Sequence, residues 1–238
     1  MNKPRVAAVI PVYNDRAALE NAIPTSLKYL EEITPDFELI IAEDGSTDGS
    51  AEVVREFGSR DSRVRLIHSD ERLGRGRALH RAFGETTAPV VCYYDVDLAT
   101  GMEHLRELIE SVQGEYDIAT GSRLLPQSRI QRTGGREFAS RGYNLLVRLV
   151  LRSRIHDHQC GFKSFRRDVV LSLAGEVQAL HWFWDTEILV RGQRKGYRIR
   201  EFPVRWVQGP GTTVRKNDVI QMGLAVFRLW WQIHVQKS

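Results

Sequence analysis

Cysteine and long apolar runs are scarce in this 238-residue sequence, and their scarcity excludes several classes of protein. The two cysteines, Cys92 and Cys160, are far apart and lack the spacing of metal ligands, so we expect a reducing compartment and no disulfide framework. No stretch reaches the roughly 18 consecutive apolar residues of a transmembrane helix. Residues 1–5 lack the apolar region of a signal peptide. The sequence therefore predicts a cytoplasmic protein with no membrane-spanning segment.

Positive charge is concentrated in one segment of a chain whose net charge is +4. Residues 123–154 contain eight arginines, no lysine and one acid, Glu137. The planar guanidinium of arginine binds phosphate and carboxylate groups through paired hydrogen bonds. We therefore expect this segment to meet an anionic partner, although a solvated helical face would have the same composition.

Apolar and amphipathic segments alternate along the chain and predict an α/β fold. Apolar, β-branched runs predict seven strands, at 5–10, 37–42, 64–68, 89–92, 116–120, 160–165 and 197–206. Helical spacing of apolar residues predicts helices at about 15–30, 51–57, 76–83, 102–112, 136–151, 184–194 and 219–235. This alternation favours a mostly parallel sheet with helices on both faces. No repeat or linker divides the chain, so we expect a single domain over residues 1–238.

Two aspartates, Asp95 and Asp97, follow the fourth predicted strand. Open α/β sheets bind their ligands at the carboxyl ends of the strands, and side chains two residues apart on an extended chain share a face. Both carboxylates can therefore reach one ion, and Mg²⁺ or Mn²⁺ commonly binds one or two carboxylates together with substrate phosphates. The pair predicts a metal site, with a solvated turn as the alternative.

A glycine-rich turn, Gly74-Arg75-Gly76, follows the third predicted strand. It is similar to the start of a dinucleotide-binding fingerprint, and Asp95 lies about 20 residues further on, as that fingerprint requires. The third glycine position is Leu79, however, and the fingerprint opens the first βα unit of a fold rather than the third. A nicotinamide-dependent oxidoreductase is therefore disfavoured. We interpret the turn as a flexible, cationic segment near a diphosphate.

Four short motifs follow one another in the first half of the chain: Pro11-x-Tyr13-Asn14-Asp15, Glu43-Asp44-Gly45-Ser46-Thr47-Asp48, Gly74-Arg75-Gly76 and Asp95-x-Asp97. In this order and at this spacing they resemble family 2 of the inverting nucleotide-sugar glycosyltransferases, whose second motif begins with aspartate rather than glutamate. Each motif alone is weakly specific, but the resemblance covers nearly the whole chain. It implies a single-domain nucleotide-diphospho-sugar transferase fold of the GT-A type.

Three further motifs resemble the polyprenyl-phosphate branch of that family, the dolichyl-phosphate glucose and mannose synthases and their relatives. They are Gly121-Ser122-Arg123, Asp157-x-Gln159-Cys160-Gly161-Phe162-Lys163 and Trp184-Asp185-Thr186-Glu187. The second motif is the most specific, and it favours a resemblance to the glucose synthases over the mannose synthases. Mannose synthases often carry a glutamine two residues after the second aspartate as a further metal ligand. Here that position is Ala99.

The resemblance implies roles for individual residues. Nucleotide binding is assigned to Pro11, Tyr13, Asn14, Asp15, Asp44, Arg75 and Asp95. The metal, Mg²⁺ or Mn²⁺, is assigned to Asp95 and Asp97, and the catalytic set is completed by Asp185 on the acceptor side. The acceptor phosphate is assigned to Arg123 and Arg136, with Arg141 as a weaker candidate. As an alternative, Asp44 and the nearby Asp48 would serve in turns and helix caps.

The implied reaction transfers a hexose from a nucleoside diphosphate sugar, of the UDP-glucose or GDP-mannose type, to polyprenyl or dolichyl phosphate with inversion at the anomeric carbon. Residues 1–121 would form the nucleotide-sugar-binding half, 122–216 the acceptor-binding half and 217–238 a C-terminal amphipathic helix. Transfer to a hydroxyl of a glycan or small molecule is the alternative reaction. A non-catalytic module that binds nucleotide or nucleic acid would leave the aspartate pair unexplained, so we expect no nucleic-acid partner.

The last predicted helix carries Trp230 and Trp231 beside basic residues. Together with the arginine-rich segment it predicts peripheral binding at the cytoplasmic face of a membrane. Packing of this helix on the protein core is the alternative.

Overall fold

The computed structural model describes residues 4–131, 135–209 and 216–235, and for residues 135–136 and 216–220 it describes the backbone alone. The strands are β1 (Val6–Val12), β2 (Phe37–Glu43), β3 (Val64–Ile67), β4 (Val90–Tyr94), β5 (Ile118–Ser122), β6 (Arg129–Gln131), β7 (Phe162–Arg166), β8 (Ile199–Pro203) and β9 (Arg205–Val207). The helices are α1 (Arg16–Glu31), α2 (Ser50–Arg60), α3 (Arg75–Glu85), α4 (Leu105–Gln113), α5 (Gly135–Leu151), α6 (Arg167–Ala174), α7 (Trp184–Arg194) and α8 (Lys216–His234).

Seven of the strands form one sheet in the order β3-β2-β1-β4-β7-β5-β8, and β6 pairs with β9 in a small separate sheet. All pairs in the large sheet are parallel except those of β7, which runs antiparallel to both β4 and β5. The start of β7 therefore lies beside the end of β4, with Phe162 opposite Tyr94. This reversal brings the segment before β7 to the sheet edge at which β1, β2, β4 and β5 end.

Apolar side chains alternate between the two faces of the sheet and build a core on each. On β1, Val6 and Ala8 belong to the core that packs beneath α1 and α4, whereas Ala7 and Val9 belong to the core beneath α3, α6 and α7. A third cluster joins α5, α7 and α8 through Val147, Val190 and Leu229, among others. The prediction of a mostly parallel sheet with helices on both faces is confirmed.

Several predicted elements differ from those observed. The helix predicted from 102 begins as a 3₁₀ turn at Met102–His104 before α4. The strand predicted at 197–206 is two strands, because β8 pairs with β5 while β9 turns away to pair with β6. The short β6 and the helix α6 were not predicted. The predicted boundary between residues 121 and 122 falls inside β5, one residue before that strand ends, and so lies within one continuous sheet.

Candidate active site

The loops after β1 and β2 are joined by hydrogen bonds at the carboxyl edge of the sheet. The backbone N–H of Asn14 donates to Ser46 Oγ at 2.9 Å, and Asn14 Oδ1 accepts from the Thr47 N–H at 2.7 Å. Asp48 Oδ2 accepts from the Arg16 N–H at 2.9 Å, so it caps the start of α1 from another loop. The predicted nucleotide residues Asn14 and Asp15 line an open cavity of about 450 Å³ here.

Asp44 holds the loop that leads into α3. Its buried carboxylate accepts hydrogen bonds from the N–H groups of Leu73, at 2.7 Å, and Gly74, at 2.9 Å. These contacts establish the turn role that the sequence left open for Asp44, and nucleotide contact stays a prediction. The centre of the partly exposed Tyr13 ring lies 4.0 Å from the guanidinium carbon of Arg72, and Pro11 is half-buried.

The Gly74-Arg75-Gly76 turn is tightly packed, so the expectation of a flexible segment is wrong. Gly74 has φ +97°, and a Cβ there would lie 2.6 Å from the carbonyl oxygen of Leu180. A Cβ on Gly76 would lie 2.6 Å from the ring of Trp184, and the Gly76 N–H donates to the Leu180 carbonyl at 2.8 Å. The glycines thus let the first turn of α3 press against the segment before α7.

Asp95 and Asp97 stand at the end of β4 as predicted, with part of Asp95 exposed. The Asp95 N–H donates to the Gly161 carbonyl at 3.2 Å, and a Cβ at Gly161 would collide with the Asp95 carboxylate. Burial and the negative charge of Asp95 raise the pKa of Asp97 above its ordinary value. The two carboxylates therefore repel each other, which is the situation that a bound cation relieves.

The donor set at this strand end fits Mg²⁺ or Mn²⁺. Two carboxylate groups with further positions filled by water and substrate phosphate are typical for these hard cations. Within the described ranges no cluster of three or more His, Cys, Asp or Glu residues has metal-binding geometry. Asp95 and Asp97 are therefore the residues that would hold such an ion.

A row of buried charges extends from Asp95 into the protein. The Arg75 guanidinium contacts Asp95 Oδ1 through Nη1, and its Nε lies 3.5 Å from Asp185 Oδ2. Asp185 Oδ1 in turn accepts from Lys163 Nζ at 2.8 Å and from the Tyr93 hydroxyl. The structure brings Asp95, Arg75 and Asp185 together. A direct catalytic role for Asp185 stays a prediction.

Two of the three predicted acceptor arginines line one cavity beyond the end of β5. This cavity of about 370 Å³ is bordered by Arg123, Arg141 and Glu137 and by the apolar side chains of 124–126 and 130. Arg123 is anchored: its Nε and Nη2 donate to the two oxygens of the buried Asp157 at 2.7 and 2.9 Å. The side chain of Arg136 lies outside the described part of the structure, so its role stays a prediction.

A sequence comparison decides the family. The model of the family described as "Glycosyl transferase family 2" matches residues 7–173, from β1 to the end of α6. The chain belongs to glycosyltransferase family 2. The matched segment contains all four motifs identified in the first half of the sequence.

Relatives of this family 2 chain extend the likeness beyond the matched segment. Glycosyltransferase AglD of Haloferax volcanii is 47% identical over 235 residues, which are 97% of this chain and 38% of that protein. The chain thus spans well under half the length of this relative. The dolichyl-phosphate beta-glucosyltransferase ALG5C of Trichomonas vaginalis is 27% identical over 93% of this chain and 69% of its own length.

Solved structures establish the fold class. One is glucosyl-3-phosphoglycerate synthase from Mycobacterium tuberculosis, solved with Mn²⁺, UDP and glucosyl-3-phosphoglycerate. The match covers 96% of this chain and 79% of the synthase chain, with a TM-score of 0.68 and 17% sequence identity. Mannosyltransferase PcManGT from Pyrobaculum calidifontis, solved with GDP-Man and Mn²⁺, matches 100% of this chain and 66% of its own, with TM-score 0.61 and 19% identity. The domain has the GT-A fold, as the resemblance implied.

Sequence reasoning missed the partners that hold the site residues of this family 2 domain. Asp157 belongs to a quoted motif, but its buried bidentate pair with Arg123 was not predicted. Lys163 was part of a quoted motif without a role, although a lysine amid the apolar residues of a strand is a signal of a buried ion pair. His68, at the end of β3, contacts the buried carboxylate of Glu43 in the second motif and was not singled out.

Proposed function

We propose that this chain transfers a hexose from a nucleoside diphosphate sugar, of the UDP-glucose or GDP-mannose type, to the phosphate of polyprenyl or dolichyl phosphate. One observation carries the proposal: a cavity lined by Arg123 and Arg141 lies beyond the end of β5, at the sheet edge where β4 presents Asp95 and Asp97. A cavity lined by arginines at the same sheet edge as a carboxylate pair suits an anionic acceptor and a metal-bound donor. The names of the dolichyl-phosphate glucosyltransferase relatives support the same acceptor class.

The chemistry requires one bond to form and one to break. An oxygen of the acceptor phosphate attacks the anomeric carbon from the side opposite the leaving group, and the bond from that carbon to the diphosphate breaks with inversion. The electron pair of that bond leaves with the nucleoside diphosphate. A divalent cation held by Asp95 and Asp97 would neutralise charge on the leaving diphosphate.

A phosphate acceptor suits this site better than a hydroxyl. A phosphate monoester has a second pKa near 6, so it is largely ionised at neutral pH and needs no base. A hydroxyl acceptor requires a general base within hydrogen-bonding reach. Asp185, the acid expected on the acceptor side, is buried and already engaged by Lys163 and Tyr93. We therefore favour transfer to phosphate.

The reaction is tested by following hexose transfer from UDP-glucose and GDP-mannose with Mn²⁺ present. The acceptors are a polyprenyl phosphate, the matching polyprenol and no acceptor, with products separated and identified by mass spectrometry. We expect a polyprenyl phosphohexose with one donor and no product with the polyprenol. Transfer to the polyprenol, or donor hydrolysis that lipid phosphate does not affect, would contradict the proposal.

Arg141 offers a clean test of the acceptor cavity, because it is exposed and its guanidinium pairs with Glu137 one turn earlier on α5. Arg141→Ala is expected to raise the KM for polyprenyl phosphate about threefold to tenfold, since one charge-assisted contact to phosphate is lost. The KM for the donor should be unchanged. Steady-state kinetics with each substrate varied in turn measures both values.

Arg55→Ala is the matched control, because Arg55 is an exposed arginine that pairs with a glutamate of its own helix, α2, and does not line the cavity. Its KM values should equal those of the native enzyme. Equal weakening of donor and acceptor by Arg141→Ala would place Arg141 on the diphosphate instead.

We further propose that the enzyme works at the cytoplasmic face of a membrane. None of the helices in the described ranges has the length and apolar character needed to cross a bilayer. The packed pair α5 and α8 nevertheless exposes large apolar side chains: Phe138, Leu145, Leu149, Leu224, Phe227, Trp230 and Trp231. Arginines of α5 lie among them, and an apolar helix face with cationic flanks favours an anionic lipid surface.

Binding to anionic vesicles is therefore expected, and it should weaken as salt rises, because the Debye length is about 8 Å at physiological ionic strength. A Trp230→Ala, Trp231→Ala double variant should bind more weakly at every salt concentration, because it removes apolar area from the exposed face. Vesicle sedimentation measures both effects. The Trp230→Phe, Trp231→Phe double variant is the control that keeps an apolar surface. Absence of binding at low salt would contradict the peripheral location.

A further inference from the structure

Four charged side chains of alternating sign run in a row from the sheet edge into the core. They are Asp95, Arg75, Asp185 and Lys163, with the Tyr93 hydroxyl beside Asp185. Asp95 is partly exposed, whereas the other three are largely or fully shielded from solvent. Burying charges is costly unless each has a partner of opposite sign. The row meets that condition, because each buried charge in it has a neighbour of opposite sign.

The inner end of the row is rigid. Lys163 is fully buried on β7, and its ammonium group donates to Asp185 Oδ1 at 2.8 Å, to the His158 carbonyl at 3.2 Å and to the Cys160 carbonyl. All three of its N–H donors are therefore used. Asp185 stands on the first turn of α7, which packs against β4 and α3 through Trp184. Its carboxylate thus has a fixed position relative to the sheet.

Asp185 is not arranged to take a proton. One oxygen accepts from both Lys163 and Tyr93, and the other lies 3.5 Å from the Arg75 Nε. Burial alone would raise the pKa of Asp185, but the charges of Lys163 and Arg75 lower it below its ordinary value. A general base at neutral pH needs a raised pKa and a free path to the acceptor. The carboxylate faces a guanidinium instead.

The Arg75 guanidinium is held from several sides. Asp185 lies at its Nε and Asp95 at its Nη1, while its central carbon lies 5.3 Å from the Tyr93 ring centre and 6.0 Å from that of Trp182. The packed glycines on either side of Arg75 fix the backbone from which this side chain extends. A guanidinium carries five donors in a rigid fork. Nη1 of Arg75 is bound to Asp95, whereas its buried Nε lies 3.5 Å from Asp185 Oδ2 without a hydrogen bond, so Asp185 acts on the guanidinium through its charge.

We propose that Asp185 is a positioning residue, which holds the Arg75 guanidinium beside Asp95 so that it binds the diphosphate of the donor. The inference rests on the proposed function, in which a nucleoside diphosphate sugar lies over Asp95 and Asp97. A preorganised cation aimed at the place where negative charge develops stabilises the leaving group without reorganisation. Asp185 then acts through Arg75 and makes no contact with the acceptor.

The inference is tested by measuring UDP and GDP binding calorimetrically in the presence of Mn²⁺. Asp185→Asn, which keeps the shape of the side chain, is expected to weaken binding of the preferred diphosphate about tenfold, because Arg75 loses an ionic anchor. Arg75→Lys should weaken it similarly, since a point charge cannot bridge two carboxylates. The KM for the donor sugar should rise in parallel, while the KM for polyprenyl phosphate stays unchanged.

Asp185→Asn leaves Lys163 without its carboxylate partner and so endangers the fold. The Lys163→Met, Asp185→Asn double variant removes both charges and avoids a lone buried cation. We expect it to melt near the native temperature and still to bind the diphosphate about tenfold more weakly. Glu38→Gln is the matched control, because Glu38 is also a buried, arginine-paired carboxylate but lies at the opposite end of β2. It should bind the diphosphate as the native protein does.

The outcomes separate the inference from the function on which it rests. Native protein that binds neither UDP nor GDP with Mn²⁺ would overturn the proposed donor class and the inference together. Native binding with equal affinity in the Asp185 variants would overturn the inference alone. A drop in kcat with unchanged diphosphate affinity, together with loss of the acidic limb of the pH–rate profile, would identify Asp185 as a catalytic base instead.

Discussion

Replacing Asp97 with asparagine is expected to lower kcat by about a hundredfold or more, because a metal ion at a leaving diphosphate supplies several kcal/mol of charge stabilisation. Asp97 is the better target of the pair, since Asp95 is also bound to Arg75 and its loss would disturb the row of buried charges. Asparagine has the same size as aspartate, and its Oδ1 can still accept the hydrogen bond that the Ala99 N–H donates to Asp97 Oδ1 at 3.0 Å. The fold should therefore be preserved, as circular dichroism and thermal melting will show.

Metal binding gives a second, independent measure of the Asp97 variant. Mn²⁺ binding followed by electron paramagnetic resonance with UDP present should be much weaker for Asp97→Asn than for the native protein. Asp168→Asn is the control, because Asp168 is an exposed aspartate on α6, away from the strand end that carries the pair. Near-native turnover of Asp97→Asn at limiting Mn²⁺ would contradict the metal role.

Replacing Arg123 with alanine is expected to destabilise the protein by about 3 to 5 kcal/mol, because it leaves the fully buried Asp157 carboxylate without its partner. For a chain of this size that loss corresponds to a fall in melting temperature of about 10 °C. Arg123→Ala therefore confounds any test of phosphate binding, which is why the exposed Arg141 serves that purpose. Denaturant unfolding and calorimetry measure the loss.

The Arg123→Met, Asp157→Asn double variant should recover a large part of that stability, because it removes both buried charges together.

The ion pair of Arg123 and Asp157 also makes stability depend on pH. Burial alone would raise the pKa of Asp157, but the charge and hydrogen bonds of Arg123 lower it well below its ordinary value. The contribution of the ion pair to stability is therefore present above the unfolded-state pKa of aspartate, about 4, and is lost as the pH falls through the lowered pKa of Asp157 in the folded protein. An Arg123→Ala protein as stable as the native one would contradict this account.

The first half of the fold could be predicted closely, because each of its strands is a local apolar run followed by an amphipathic helix. β1, β2 and β3 begin and end within one or two residues of the expected positions. The reversal of β7 could not be predicted, since nothing within Phe162–Arg166 encodes the direction of its neighbours. The three-residue strands β6 and β9 were missed or merged for the same reason, as both depend on pairing with segments distant in the sequence.

The candidate site shows the same division between local and distant information. Motif spacing placed Asp95 and Asp97 correctly at the end of β4, because both follow directly from the strand. It could not reveal that Arg75 lies between Asp95 and Asp185, since the three residues come from α3, β4 and α7. Residues that directly follow a strand can therefore be predicted from a single sequence. Contacts between side chains from separate elements cannot.

The position of β7 in the sheet also determines the order in which the strands can pair while the chain is synthesised on the ribosome. β1 to β4 pair only with one another until β7 appears, and β5 pairs with β7 and β8, both of which are synthesised after it. The outer edge of β4 thus stays open, and an open edge is prone to wrong pairing. Asp95 gains its backbone partner Gly161 only when β7 closes that edge. We expect nascent chains that end before β7 to leave the edge of β4 unpaired and therefore to depend on a chaperone.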